Sequence, residues 1–242
     1  MSAPQQATGM VLHARRFREN SRIVEWFTRE AGRVATVARV PRHRAAATLA
    51  ALQPFREALL HWRGGGELVT LTGLDAGRHF PLAGEAQVCG LYCNELLLRL
   101  TRRGLPQPAL YGAWRDTLAA LAAGGAPAPL LRAFEWQLLT ALGYGLHPER
   151  DSETGAPLEP GRPCHYHPAH GFTARPLASG SLTVAPATLA ALQRRDWTAP
   201  GQAAALRRLL GRAIDHLLEG RPLRSRALLR ALTRYRTGEP PP

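Results

Sequence analysis

An α+β protein, with a small all-β barrel at the amino end and a mainly helical body after it, is what this sequence predicts. Three observations predict it. Five short stretches rich in β-branched and aromatic residues come first, the apolar period then switches from two to 3.6 near Ala83, and an interval at 143–181 full of Gly, Pro and His follows no period at all. At 242 residues the chain can bury a core without disulfide staples.

The strand stretches are 11–17, 23–28, 32–38, 57–62 and 67–72, separated by polar or glycine-containing turns. Five such strands in about 70 residues suit a five-stranded barrel of the OB type. Gly32 stands where the hairpin between the second and third strands needs a residue tolerant of positive φ. The connection 39–52 is longer and basic, with room for a short helix. Downstream, Cys93, Leu96, Leu97 and Leu100 recur at i, i+3, i+4 and i+7, and Leu131, Phe134, Leu138 and Leu142 repeat the theme, so each set forms one helix face. Residues 111–122 read as a helix between them, and Gly124, Gly125, Pro127 and Pro129 interrupt the chain before the next. The irregular interval is a long loop or a small sub-domain. Leu206, Leu209, Leu210, Ala213 and Leu217 restore a helix, Leu228, Leu232 and Tyr235 mark a last one, and 238–242 reads as a frayed tail. The domain expectation is therefore a barrel at 1–80 and a helical domain at 81–242 that includes the insert 143–181.

The sequence has 31 Lys+Arg against 18 Asp+Glu, a formal charge of +13. Such an excess points to a polyanion, either nucleic acid or an anionic membrane surface. No lysine is present, so every fixed cation is an arginine, able to grip phosphate with a planar fork. GC-rich coding writes Arg for Lys as well, so only the placement of the arginines can carry function. Residues 1–60 hold ten arginines against four glutamates. Arg15, Arg16, Arg18 and Arg22 flank the first connection, Arg33 begins the third strand, and Arg39, Arg42 and Arg44 follow it. These are the candidate phosphate contacts, since turn residues reach a backbone without disturbing a barrel. Arg224, Arg226 and Arg230, with Arg234, make a second basic stripe near the carboxy end, and Arg207, Arg208 and Arg212 precede it. Phe17, Trp26, Phe27, Phe55 and Trp62 interleave with the first group; they either stack on unpaired bases or fill the barrel. Trp26 and Phe27 project to opposite faces of one strand, so at most one fills the interior.

Other classes are disfavoured. Cys89, Cys93 and Cys164 show no paired spacing, the pattern of a reduced cytoplasmic protein. The opening 16 residues lack the layout of a signal peptide, and no apolar run approaches the roughly 20 residues of a spanning helix. The carboxy-terminal basic helix lacks the interfacial Trp and Phe that a membrane-surface helix carries. Asp151 and Glu153, with His165 and His167, could be imagined as a metal nuclease site, but nothing orients them and no nucleophile with a base emerges. A phosphate-cradling loop ending in Lys cannot exist here. The expectation is a non-enzymatic binding protein without a cofactor.

Five linked blocks carry a resemblance. Phe27-Thr28-Arg29-Glu30-Ala31-Gly32-Arg33-Val34, Leu52-Gln53-Pro54-Phe55, Tyr92-Cys93-Asn94-Glu95-Leu96-Leu97, Leu131-Arg132-Ala133-Phe134-Glu135 with Leu142-Gly143-Tyr144, and Arg221-Pro222-Leu223-Arg224-Ser225-Arg226 resemble the RecO family in order and spacing. The resemblance implies a barrel that binds single-stranded and double-stranded DNA, and a helical domain that receives the acidic, Phe-ended tail of single-stranded-DNA-binding protein (SSB). It also implies partnership with RecR, a functional link to RecA loading and to RecF, strand annealing, and a place in the bacterial cytoplasm at the nucleoid. Arg132 matches the family's Leu-Arg-x-Phe-Glu helix and is the candidate for gripping the tail's carboxylates, with Leu131 and its apolar neighbours as the pocket for the terminal Phe. The other reading of Arg132 is a surface arginine beside a core-facing Phe134.

Two departures stand out. After Arg39 the chain has Val40-Pro41-Arg42-His43-Arg44 where many relatives continue with Gly and a Lys-rich loop. After Tyr144, where many carry a four-cysteine zinc site, only Cys164 remains, and Cys164, His165, His167 and His170 do not form two separated pairs. A metal-free segment is expected. The alternative functional class is a general RNA-binding OB protein, because stacking platforms and basic loops serve either polymer.

Overall fold

The second strand organises the barrel because both of its faces are buried. In the computed structural model, which describes residues 5–159, 161–177 and 179–237, β2 (Ser21–Thr28) pairs antiparallel with β1 (Gln5–Phe17) and with β3 (Gly32–Arg39). The tail expected at 238–242 and the Tyr235 side chain lie outside the described residues. Strand β4 (Arg56–Arg63) pairs with β1, β5 (Val69–His79) pairs with β4 and runs parallel to β3, and the order β1-β2-β3-β5-β4 closes a barrel. A closed five-stranded barrel with a helix between its third and fourth strands is the OB architecture expected from the sequence. That helix, α1 (Ala45–Ala51), follows a short 3-10 turn at Arg42–Arg44. The fifth strand is longer than its apolar run suggested, because most of its residues beyond Val69 are only half-buried or exposed and carry little hydrophobic signal.

Trp26 points into the barrel, where it packs with Val11, Val24, Leu60 and Trp62, and its Nε1–H donates to the buried Thr36 hydroxyl over 2.9 Å. Phe27 points outward and is equally buried, at 5.9 and 6.2 Å from the rings of Trp114 and Tyr111. Those two residues come from α3 (Pro108–Ala122), whose first turn accommodates Pro108 without losing a hydrogen bond. At the β2–β3 hairpin Gly32 has φ +65°, and a Cβ there would fall 2.1 Å from the Leu105 carbonyl oxygen. Both the turn and the close approach therefore require glycine.

Helix α2 (Gly84–Leu100) binds the barrel through a bulge. The β1–β2 register slips between Val11 and His13, and the Asn94 Nδ2 amide donates to the carbonyls of Val11 and Leu12 at 3.1 and 3.4 Å. Gly90 on the same helix lets the Phe55 ring approach, since a Cβ would lie 2.7 Å from it. Next to Asn94, Glu95 accepts hydrogen bonds from the backbone N–H groups of Arg224 and Ser225 and from the Ser225 hydroxyl, at 3.1, 2.9 and 2.6 Å. These groups open α7 (Arg224–Thr237), so a carboxylate satisfies the orphan donors at the positive end of a helix that follows α2 by more than a hundred residues.

The chain divides into two compact units, Met1–Gly125 with Leu223–Pro242, and Ala126–Pro222. In the second, α4 (Pro127–Ala141), α5 (Pro186–Arg194) and α6 (Ala203–Leu217) accompany a small sheet of order β7-β6-β8 formed by β6 (Cys164–His167), β7 (Gly171–Thr173) and β8 (Leu182–Val184). The irregular interval is thus a small sheet and its loops. Asp151 holds it together: its carboxylate accepts from the backbone N–H of Ala174, Glu153 and Thr154 at 2.7, 2.9 and 3.0 Å, bonds that keep its pKa below the ordinary carboxylate value. A carboxylate so occupied orders the loops around it.

Burial works to raise the Glu95 pKa, but the hydrogen bonds from Ser225 and Arg224 outweigh it and hold the carboxyl below its ordinary value. A folded-state pKa lowered in this way gives stability that is present above the unfolded value of about 4.3 and is lost as the pH falls through the folded value. Glu95→Ala is expected to cost about 1–3 kcal/mol, as loss of a charged partner for several donors does. Amide hydrogen exchange should show α7 opening selectively, in Glu95→Ala at neutral pH and in the parent protein under acid. Unchanged exchange in α7 would contradict this role.

Candidate nucleic-acid interface

Register brings the two basic connections to one end of the barrel. Ser21 pairs with Arg39 across β2 and β3, Arg16 pairs with Arg22 across β1 and β2, and the Val40 N–H donates to the Asn20 carbonyl at 2.9 Å. The first hairpin loop and the segment after β3 therefore lie side by side, and with the adjoining strand ends they gather Arg15, Arg16, Arg18, Arg22, Arg39, Arg42 and Arg44. All are exposed except Arg22, which is half-buried. Between them lies a cleft of about 480 Å³ lined by Asn20, Arg39, Pro41, Arg42 and His43. Asn20 and His43 escaped the sequence reading, because neither stands out until the register places their loops together.

A carboxylate faces this group. Glu19 Oε1 accepts from Arg42 Nη2 over 2.7 Å, and both side chains are almost fully in solvent. The other three glutamates of the first 60 residues have internal partners: Glu25 pairs with Arg33 and Arg103, Glu30 accepts the Thr8 N–H, and Glu57 accepts the Tyr111 hydroxyl. Of these four glutamates, Glu19 is thus the one at the loops.

Several expected contacts lie elsewhere. Arg33 turns inward, donates to the Leu98 carbonyl and pairs with Glu25, so it ties α2 to the barrel and does not reach the loop surface. Of the five aromatic candidates, Trp26, Phe27, Phe55 and Trp62 are buried, and only Phe17 is partly open, with the Arg18 guanidinium 5.1 Å from its ring centre. The expectation that Trp26 and Phe27 cannot both fill the interior holds, yet neither is available to a base because α3 covers Phe27. On α7, Arg224 and Arg230 are exposed, whereas Arg226 is half-buried with its guanidinium 5.9 Å from the Tyr92 ring.

Leu131 and Arg132 lie on α4. Both are buried, and Arg132 Nη2 is hydrogen-bonded to the buried Glu135 one turn along α4. The Arg132 guanidinium is therefore already engaged by a carboxylate of its own helix. In the segment after Tyr144, strand alternation buries Cys164 and Tyr166 on one face of β6 and sets His165 and His167 on the other. Burial pushes the Cys164 thiol up to about 11, so it stays protonated. Among the described residues no group of three or more His, Cys, Asp or Glu is placed to hold a metal, and this donor set does not fit a structural zinc.

With the barrel and its basic end in place, comparison with known proteins is decisive. Residues 1–80 match the family described as "Recombination protein O N terminal" and residues 82–227 match "Recombination protein O C terminal". The chain belongs to the recombination protein O family. A protein of Pseudomonas paraeruginosa named "DNA repair protein RecO" is 41% identical over 227 residues, covering 93% of this chain and 94% of its own. Proteins of the same name from Nitrosococcus oceani and Alkalilimnicola ehrlichii are 40% and 42% identical, each covering 93% of this chain and 92% and 90% of their own. The blocks that carry the RecO resemblance have visible work in this fold: Gly32 turns the hairpin, Phe55 meets Gly90, Asn94 closes the bulge, Arg132 pairs with Glu135, and Ser225 meets Glu95. No helix among the described residues is long and apolar enough to cross a membrane.

Two outcomes follow. Arg132→Ala removes a charged partner from the buried Glu135 carboxylate, so chemical denaturation should show a loss of about 1–3 kcal/mol, partly recovered when both residues are replaced by Leu. Full stability in Arg132→Ala would mean that the pair is not buried in solution. At the loops, Glu19→Gln frees Arg42 and should tighten oligonucleotide binding about two- to fivefold at low salt, the range of an exposed ion pair. Weaker binding would show that Glu19 positions Arg42 instead of competing for it.

Proposed function

We propose that this protein is a non-enzymatic, cytoplasmic DNA-binding mediator of DNA repair and homologous recombination. It holds single- and double-stranded DNA by the phosphate backbone on the arginine end of its barrel and anneals complementary strands. The observation that carries this reading is the convergence of seven arginines, from two connections and the strand ends that flank them, onto one barrel end that also carries Glu19. Arginine forks on exposed loops suit phosphate oxygens, and phosphate contacts position a strand without reading its sequence. Kinship with proteins named for DNA repair favours DNA over RNA as the polymer. Arg224 and Arg230, exposed on α7, add a further phosphate contact in the same unit.

The family relationship further supports RecR and the SSB tail as protein partners, RecA loading as the outcome, and RecF as an associated factor. Docking of the tail at Leu131 and Arg132 requires an incoming carboxylate to replace Glu135, which makes it a coupled exchange and not simple capture.

The test is annealing of complementary strands pre-coated with SSB, with and without RecR, over a salt series. Annealing should proceed with the parent protein and collapse in the triple variant Arg39→Ala, Arg42→Ala, Arg44→Ala. Affinity for a bare single strand should fall with a log–log salt slope of about −3 to −4, the value for roughly 4 to 6 neutralised phosphates. A flat slope, or a triple variant that anneals like the parent, refutes the loops as the binding site.

A further inference from the structure

The second compact unit contains a pocket that the DNA reading leaves unused. Its cavity is about 390 Å³, and its floor is made by Leu139, Leu146, Tyr166 and Phe172, with the last two rings packed 4.9 Å apart. His147 and Arg150 from the loop after α4 and His216 from α6 are exposed around it. The lining has one carboxylate, Asp151, whose oxygens are already held by three backbone N–H groups. Positive and titratable groups therefore face an apolar floor with no free anion between them. At the same edge burial lowers the His167 pKa, and so do neighbouring His170, Arg212 and His216.

Two features select the shape of an occupant. Tyr144, on the wall, is 52% exposed and is the one aromatic among the exposed large hydrophobic side chains of the described residues. Gly145, Gly155 and Gly171 also line the pocket, leaving bare backbone at three points, and Gly171 could not carry a Cβ without meeting the Ser152 hydroxyl at 2.7 Å. Glycine positions beside an open aromatic face leave room for a flat ring, with Arg150 Nη1 donating to the Gly155 carbonyl at 3.1 Å at its edge. A nucleotide of a single strand offers both, a flat base to stack and a phosphate for the cations.

We propose that this pocket takes one unpaired nucleobase and its phosphate, the base lying against Tyr144 and the apolar floor and the phosphate meeting Arg150, His147 and His216. It is a single-strand contact on Ala126–Pro222, separate from the arginine loops of the barrel. The proposal rests on the nucleic-acid reading above, and it supplies what the barrel lacks, because four of the barrel's five candidate stacking residues are buried. An acidic peptide ending in an aromatic residue is the competing occupant, as it would offer the same charge and one ring.

The experiment uses the full chain and a thymidine oligonucleotide of about 20 residues, long enough to exceed one barrel site, with 5-iodouracil in place of one base. Irradiation followed by peptide mapping should give crosslinks at Tyr144. The crosslink yield there should fall about fivefold or more in Arg150→Ala and in His216→Gln, while thermal melting stays at the parent value, and an excess of an acidic Phe-ended peptide should leave the yield unchanged. Affinity for the oligonucleotide should drop about fivefold in Tyr144→Leu, the lower end of what one stacked base contributes. Crosslinks confined to the barrel would overturn the pocket and leave the barrel reading standing. Displacement of the Tyr144 crosslink by the peptide would overturn it in favour of a peptide site. Failure of the oligonucleotide to bind at all would overturn both readings.

Discussion

Burial of both faces of β2 is the constraint on which the rest of the first unit depends. Trp26 needs an apolar interior and a hydroxyl for its indole N–H, and Thr36 supplies the second from the neighbouring strand. Phe27 needs an equally dry environment on the opposite side, and α3 supplies it with Tyr111 and Trp114. Once those demands are met, α3 covers that side of the barrel wall, and α2 is fastened beside it by Asn94 at the bulge and by Arg33 on the Leu98 carbonyl. Glu95 then captures the first turn of α7. The barrel can offer a ligand only what these helices leave uncovered, and the basic end formed by the first hairpin loop and the segment after β3 is the charged part of that remainder.

Electrostatics follow from the same economy of partners. Carboxylates in this unit are largely occupied by fixed donors: Glu25 by arginines, Glu30 by a backbone N–H, Glu57 by a tyrosine, Glu95 by a helix start. Each such contact removes an anion from the pool able to screen the exposed arginines. A local surplus of positive charge therefore arises from the placement of the acids as much as from the number of arginines. This is why a bare count, which GC-rich coding can inflate, becomes informative only once the partners are known.

Much of the barrel was legible because strand alternation, Gly32 and the Arg-rich turns are local signals, and the family was legible because Asn94, Glu95, Phe55 and Ser225 belong to ordered blocks. Those blocks turn out to be packing and docking residues, none of which lies on the basic end itself. What stayed hidden is what depends on three dimensions. Arg33 reads like any other arginine until Leu98 and Glu25 are seen beside it, and Arg132 reads as a surface cation until Glu135 is found buried one turn away. Helix α5 was missed because its nine residues offer only one apolar turn within a Pro- and Ala-rich stretch. The pocket at Tyr144 draws on α4, α6 and the small sheet, whose lining residues lie far apart in sequence.

Hydrogen exchange with and without a bound single strand tests the central claim most directly. If arginine loops hold the backbone while the helices seal β2, protection should appear at residues 15–22 and 39–44 and the central amides of β2 should be unaffected by the ligand. Protection centred on β2 and α3, with the two basic connections unchanged, would place the strand on the face assigned here to Phe27, Tyr111 and Trp114 and would contradict the account.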